Sequence, residues 1–228
     1  MAKATESVTF KILARMKRGP PSRVWTPRDF IDLGTRTAVD VALHRLEAQN
    51  LVRRISRALY DVPRFEKGVL VPPDCAAVLA AISRRDGVKV LVDERSAAQE
   101  LGLVPGTPTR IVVLTSRRLE NISLGSRTIF FRTVASRQLI WAGRPAADLV
   151  QAMRYLRELL NTNSKLLPRL RAILNGGGGD VIRSDLERGL GDLPTWLVPH
   201  DIVAYQRKSG DGVWQTISMW IIRQPAAR

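Results

Sequence analysis

Residues 34–49, GTRTAVDVALHRLEAQ, decide how the N-terminal part of this chain folds. Thr35 is suited to cap a helix that begins at Arg36. Val39, Ala42, Leu43 and Leu46 recur at i, i+3, i+4 and i+7, which predicts an amphipathic helix with that stripe facing a core. At about 100° per residue, Arg36, Asp40 and His44 fall on another side, with Thr37 and Val41 beside them. These side chains have the chemistry of base reading. Arg36 can bond a guanine through two parallel hydrogen bonds, and Thr37 or Val41 can touch a thymine methyl. Asp40 repels phosphate, so it either accepts from a cytosine amine or holds Arg36 in position. A solvated face on a plain three-helix bundle has the same pattern, and the flanking sequence has to choose between them.

Upstream, SVTFKILARMKRG places Val8, Ile12, Leu13 and Met16 on one face of a first helix. Gly19, Pro20 and Pro21 stop it. RVW follows as a possible short strand. In TPRDFIDLG, Thr26 is an N-cap, Pro27 takes the first helical position, and Asp29 is placed to reach back as a capping-box acid. Gly34 is expected to end this short second helix in a left-handed conformation. Short helix, glycine turn and longer helix outline a helix-turn-helix.

Downstream, NLVRRISRALYDVP reads as two short strands around a Ser56-Arg57-Ala58 turn. A hairpin after the third helix is a wing. Its tip presents Arg57, with Arg53 and Arg54 behind it, and cations there suit phosphate or the minor groove. The order helix, strand, short helix, long helix, basic hairpin therefore predicts a winged helix-turn-helix over residues 1–63. That segment holds 12 basic and 6 acidic side chains, and the whole chain has 36 against 21, net +15. Such a surplus favours a polyanionic partner.

Residues 22–63 resemble the N-terminal winged-helix domain of AbiEi-type antitoxins. The matched pattern is Gly34, Thr35 and Arg36, then Ala38, Val39, Ala42, Leu43, Arg45 and Leu46, then Leu59, Tyr60 and Pro63. At the hairpin tip, a glycine often seen in the family is Ala58 in this chain. The resemblance continues through Pro72-Pro73-Asp74, Leu114 to Ser116 and Phe130 to Arg132, covering about residues 7–160. The DNA contacts expected are Arg36, Thr37, Asp40, Val41, His44 and Arg45 on the helix, with Arg53, Arg54 and Arg57 in the hairpin.

The resemblance implies a type IV antitoxin. Such a protein binds double-stranded DNA at inverted repeats in its own promoter and represses it; a dimer on DNA is one arrangement that suits such repeats, and the sequence leaves the oligomeric state in solution open. It also counters a nucleotidyltransferase-type toxin without needing a stable complex. The competing reading is a stand-alone winged-helix regulator whose middle domain senses a ligand or dimerises. A third is an enzyme or nucleic-acid-processing factor that uses the winged helix only for docking.

Residues 64–160 read as a mixed α/β antitoxin-like domain. VPPDCAAVLAAISRRDG is a helix capped by Asp74, with Ala77, Val78, Ala81 and Ile82 inward and Gly87 at its stop. VKVLVD, TRIVVLTS and RTIFFRTV are strands, SAAQELGL is a short helix, and RRLENISLGS between the last two strands is a turn region. PAADLVQAMRYLRELL is a helix with Leu149, Met153, Leu156 and Leu160 inward. Arg117, Arg118, Arg127, Arg132 and Arg137 form a basic face there or are simply solvated.

Residues 161–228 read as a helical extension and a tail of uncertain order, so the class is α+β. Four glycines in NGGGGDVIRSDLERGL lack the Gly-Lys-Ser/Thr ending of a phosphate loop and are read as a flexible connection.

With two histidines, His44 and His200, a histidine-based triad or metal cluster is not expected. Cys75 near a helix start is read as a small core residue, though a stabilised thiolate there is the alternative. No enzyme activity, cofactor or metal is expected, while a carboxylate-based enzyme stays open. One cysteine and no apolar leader or spanning segment point to a cytoplasmic protein without a membrane partner.

Overall fold

The computed structural model describes residues 7–159 and 165–197. The protein is mixed α+β, with seven α-helices and several small sheets among the described residues. The chain forms two compact units: Met1–Val88 with Leu119–Phe130, and Lys89–Arg118 with Phe131–Arg228. The boundaries read from sequence at 63 and 160 fall within the first and second unit respectively. The tail from His200 onward and Leu160 lie outside the described residues.

In the first unit, α1 (Val8–Arg18) starts at Ser7, whose side chain accepts from the Phe10 N–H. Ile12 and Met16 are buried, and Val8 and Leu13 pack partly buried beside them. The expected second helix is one 3-10 turn, Pro27–Phe30. Asp29 Oδ2 accepts from the Thr26 N–H at 2.7 Å, so the acid reaches back as its spacing required. Gly34 does not adopt the expected left-handed conformation. Its glycine character answers to close packing, because a Cβ there would lie 3.2 Å from Val8 Cγ2 on α1.

Helix α2 (Arg36–Ala48) buries Val39, Ala42, Leu43 and Leu46, the stripe the spacing required. The shared core of this helical part adds Trp25, Phe30, Val52 and Tyr60. Trp25 stacks on Phe30 at 5.4 Å between ring centroids. Strands β1 (Arg53–Ser56) and β2 (Leu59–Asp61) form an antiparallel hairpin. The expected RVW strand is a single bridge: Trp25 and Tyr60 exchange N–H···O bonds of 2.7 and 2.9 Å.

A second hairpin, β3 (Phe65–Glu66) with β4 (Val69–Leu70), turns through Lys67 and Gly68, both at positive φ. Sequence reading passed over it. Helix α3 (Cys75–Asp86) is capped by Asp74 and ends at Gly87 with φ 64°, both as read. It buries Cys75, Val78, Leu79, Ala81 and Ile82, with Ala77 only partly covered.

In the second unit, β5 (Val90–Val92) pairs antiparallel with β6 (Arg110–Thr115), setting Leu91 opposite Leu114. Helix α4 (Glu94–Glu100) lies between them in sequence, capped by Asp93. The region read as a turn, 117–126, contains a strand in the first unit, β7 (Ile122–Leu124), paired with β8 (Arg127–Thr133). Ile122 and Leu124 are buried around exposed Ser123, a period-2 signal that three residues make too short to separate from a loop. β8 begins in the first unit and ends in the second.

Helix α5 (Ala147–Leu156) buries Leu149, Met153 and Leu156. Helices α6 (Leu166–Asn175) and α7 (Gly179–Arg188) pack on one another. The glycine run read as a flexible connection is a tight turn. Gly178 has φ 87°, and a Cβ on Gly179 would fall 2.0 Å from the Leu174 carbonyl oxygen. Leu166, Leu170, Leu174, Leu186, Leu193 and Leu197 enter the same core as Trp141, Leu149 and Leu156.

Arg144 fixes this assembly. It lies over the Trp141 ring at 3.8 Å. Its nitrogens reach Asp185 Oδ1 at 3.2 Å, the Asp185 carbonyl at 2.9 Å and Asp192 Oδ2 at 3.0 Å. Trp141 Nε1 donates to the Asp192 carbonyl at 2.9 Å. The buried carboxylate of Asp185 also accepts from the Ala146 N–H at 3.0 Å, so its charge is compensated twice. No described helix is long and apolar enough to cross a membrane.

Candidate nucleic-acid interface

The α2 helix is positioned by its buried stripe and by Thr35, whose hydroxyl accepts from the Ala38 N–H at 3.3 Å. With that stripe inward, Arg36, Thr37, Asp40, Val41, His44 and Arg45 are all exposed. At about 100° per residue, Thr37, Val41 and His44 are outermost, Arg36 and Asp40 occupy one flank, and Arg45 the other. Arg36 Nε donates to Asp40 Oδ2 at 2.8 Å. An exposed i,i+4 pair of this kind adds only about 0.3–0.5 kcal/mol of stability. Its larger effect is orientation. The bond uses Nε and leaves both terminal guanidinium nitrogens for another acceptor. Of the two roles read for Asp40, this geometry is that of holding Arg36.

Tyr60 of the hairpin is buried in the core it shares with α2. Burial pushes its phenol above the usual value, and the charges acting on it are Arg54, Glu47, Asp40 and Arg36. One hydroxyl thus lies within the field of both the helix flank and the first strand. Tyr60 stands opposite Arg54 in the pairing register.

Adjacent strand residues point to opposite faces, so Arg53 and Arg54 separate. Arg54 is exposed. Arg53 is turned inward: Nε and Nη2 reach the Asp61 carboxylate at 2.9 and 2.5 Å, and Nη1 donates to the Val71 carbonyl at 2.9 Å. Asp61 is only 5% exposed. Arg53 therefore braces the hairpin with its own donors, unlike the outward cations beside it.

Between Arg54 and Ser56 the register shifts, leaving Ile55 as the extra residue of a bulge. Bulges sharpen strand twist and re-aim the residues beyond them. The tip then turns through Arg57, which is exposed, and Ala58, which takes φ 55°. A glycine would adopt that conformation freely, whereas an alanine Cβ strains it.

The supports under this tip escaped sequence reading. Arg85 Nη1 donates to the Arg57 carbonyl, while its Nε and Nη2 hold Asp86 at 2.9 and 2.7 Å. Arg84 donates to the Val24 carbonyl at 2.9 Å. Both arginines come from the last turn of α3, and nothing local links Arg85 to a turn 28 residues earlier.

The five arginines read as a second basic face divide between the units. Arg117, Arg118, Arg132 and Arg137 are exposed in the second, and Arg127 is half-buried in the first. Cys75 is buried at the start of α3. Among the described residues, no three His, Cys, Asp or Glu side chains converge as a metal site requires.

These features define an α+β protein whose first unit sets an exposed polar helix face beside a cationic hairpin. The chain belongs to the DUF6088 family, a family of unknown function whose pattern matches residues 11–174. It is similar to a solved structure, the RV2827C protein from Mycobacterium tuberculosis, at 16% identity and a TM-score of 0.40, over 97% of this chain and 82% of that one. No curated protein matches it.

Proposed function

We propose that residues 7–63 are a winged helix-turn-helix that binds double-stranded DNA, and that the protein is an autoregulatory antitoxin of the AbiEi type, working in the cytoplasm. In this reading α2 enters the major groove. Arg36, steadied by Asp40, reads a base edge, with Thr37, Val41 and His44 beside it and Arg45 near the backbone. Arg54 and Arg57 take phosphates or the neighbouring minor groove. Arg53 stays on Asp61 and sets the hairpin's direction. One good two-bond base contact gives about 1–3 kcal/mol of discrimination. Phosphate contacts supply affinity that falls with salt.

What supports the reading is the pairing of an exposed face on α2, where Arg36 is held by Asp40, with outward cations on a braced hairpin, in a chain of net charge +15. An antitoxin would occupy inverted repeats in its own promoter and counter a nucleotidyltransferase-type toxin. The test combines footprinting on the protein's own upstream region with co-expression of the adjacent gene. Protection of a repeat, together with rescue of growth, supports the antitoxin. Protection without rescue leaves a stand-alone regulator. Absence of any protected site at modest ionic strength overturns the DNA reading itself.

A further inference from the structure

A second cationic feature lies on the first unit, on residues not assigned to DNA. Lys11, Arg15 and Arg18 follow i, i+4 and i+7 on α1, so they share one helical face. Together with Arg23, Trp25, Asp29 and Leu33 they line a cavity of about 600 Å3. Four cations and one carboxylate thus surround one space.

The neutralising partners are already in use. Arg15 donates to the Asp29 carbonyl at 2.9 Å and to both oxygens of Asp32 at 2.7 and 2.6 Å. The Asp29 carboxylate accepts from the Thr26 N–H and from Arg23 Nη2 at 3.3 Å. Among the described residues, the side chains of Lys11 and Arg18 have no ion pair or hydrogen bond. Arg23 is stacked 4.0 Å from the Trp25 ring centre, and its Nε is buried without a hydrogen-bond partner. A buried donor of this kind is costly to leave unmet.

From this we infer that the α1 cavity is a phosphate-type oxyanion site. Lys11 and Arg18 supply the uncommitted charge, and Arg23, held against Trp25, adds a further cation to the lining. Trp25 is covered by Phe30 and by Arg23, so it offers no free face to a nucleobase and the ligand is recognised through its anion alone. Two sources carry that chemistry: a small phosphorylated molecule, or a phosphodiester of a bound duplex.

The test uses the full-length protein and the variant Lys11→Ala/Arg18→Ala, whose exposed or half-exposed positions spare the core. Thermal melts are recorded with inorganic phosphate and with chloride at equal ionic strength. A saturable rise in Tm with phosphate, absent with chloride and lost in the double variant, is expected from a ligand that binds the folded state. DNA binding is measured against salt in parallel. If the cavity takes a duplex phosphate, the slope of log K against log salt falls by about one unit per lost contact in the double variant. If it takes a free phosphate, that slope is unchanged. Equal melts in both salts, or an unaltered phosphate response in the variant, combined with an unchanged DNA slope, would overturn the site. The melts need no DNA, so they separate failure here from failure of the DNA reading.

Discussion

Arg85 of α3 donates to the main-chain carbonyl of Arg57 at the tip of the β1–β2 hairpin. A side chain whose nitrogens are taken by Asp86 and by this carbonyl thus sets where an exposed cation stands. Arg85→Ala should weaken DNA binding by about the same factor on every sequence, with no change in base preference. It should also lower stability by about 1 kcal/mol through the lost charged hydrogen bond. Arg85→Lys should not restore the effect, because one ammonium cannot grip Asp86 at two points and reach the carbonyl too. Binding curves on specific and random duplexes measure both. A shift in base preference in the alanine variant would refute the positioning role.

Ala58 turns the hairpin at φ 55°, a conformation that penalises any Cβ. Ala58→Gly should raise the midpoint of urea unfolding by an amount equivalent to up to about 1 kcal/mol, the relieved strain being partly offset by added freedom in the unfolded chain. Ala58→Val should do the reverse. A lower midpoint for the glycine variant contradicts this account of the tip.

The pair between Arg53 and Asp61 is buried on the acidic side, so neither partner can be removed alone without stranding the other. Arg53→Met should destabilise the first unit by about 3 kcal/mol, and Asp61→Asn by a comparable amount. Because Arg53 is committed inward, the DNA salt slope of any folded Arg53 variant should match that of the wild type. Arg57→Ala should reduce it by about one unit.

Asp40 steadies Arg36 and also places a negative charge on the face proposed to meet DNA. Asp40→Asn should therefore raise affinity for random duplex, by removing repulsion, while narrowing the gap between the best site and random sequence. Arg36→Ala should flatten preference at one base position. Selection from a randomised pool reports both outcomes, and an unchanged profile for Arg36→Ala would count against base reading by this helix.

Tyr60 gives a pH signature. Burial raises its phenol in the folded state, so the folded protein holds that proton more tightly than the unfolded chain does. The associated stability is complete below the ordinary tyrosine value of about 10 and is lost as pH rises through the folded value. Urea midpoints measured from pH 8 to 11 should fall more steeply for wild type than for Tyr60→Phe. Parallel curves would mean that the phenol does not contribute.

The sequence made α2 legible because its four core positions, cap and outward face are all local and periodic. The same holds for the Asp74 cap and the Gly87 stop of α3. It misled at Gly34, where the constraint is the nearness of Val8 on another helix and therefore has no local mark. β7 and the β3–β4 hairpin were missed because strands of two or three residues carry too few alternations to stand out. At the candidate interface, exposure followed from helix geometry, whereas the inward turn of Arg53 depends on Asp61 and Val71, eight and 18 residues away. Distant partners of that kind cannot be read from spacing.

The Arg144 clamp and the leucines of α6 and α7 have a consequence for synthesis. Trp141 finds its acceptor, and Arg144 its carboxylates, only in residues 185–192. A nascent chain that has emerged only as far as residue 160 holds most of this hydrophobic interior but none of the leucines of residues 166–197 that cover it. The clamp cannot close until residues 185–192 are clear of the exit tunnel. Until then, a sticky, unfinished surface is exposed to every chaperone in reach.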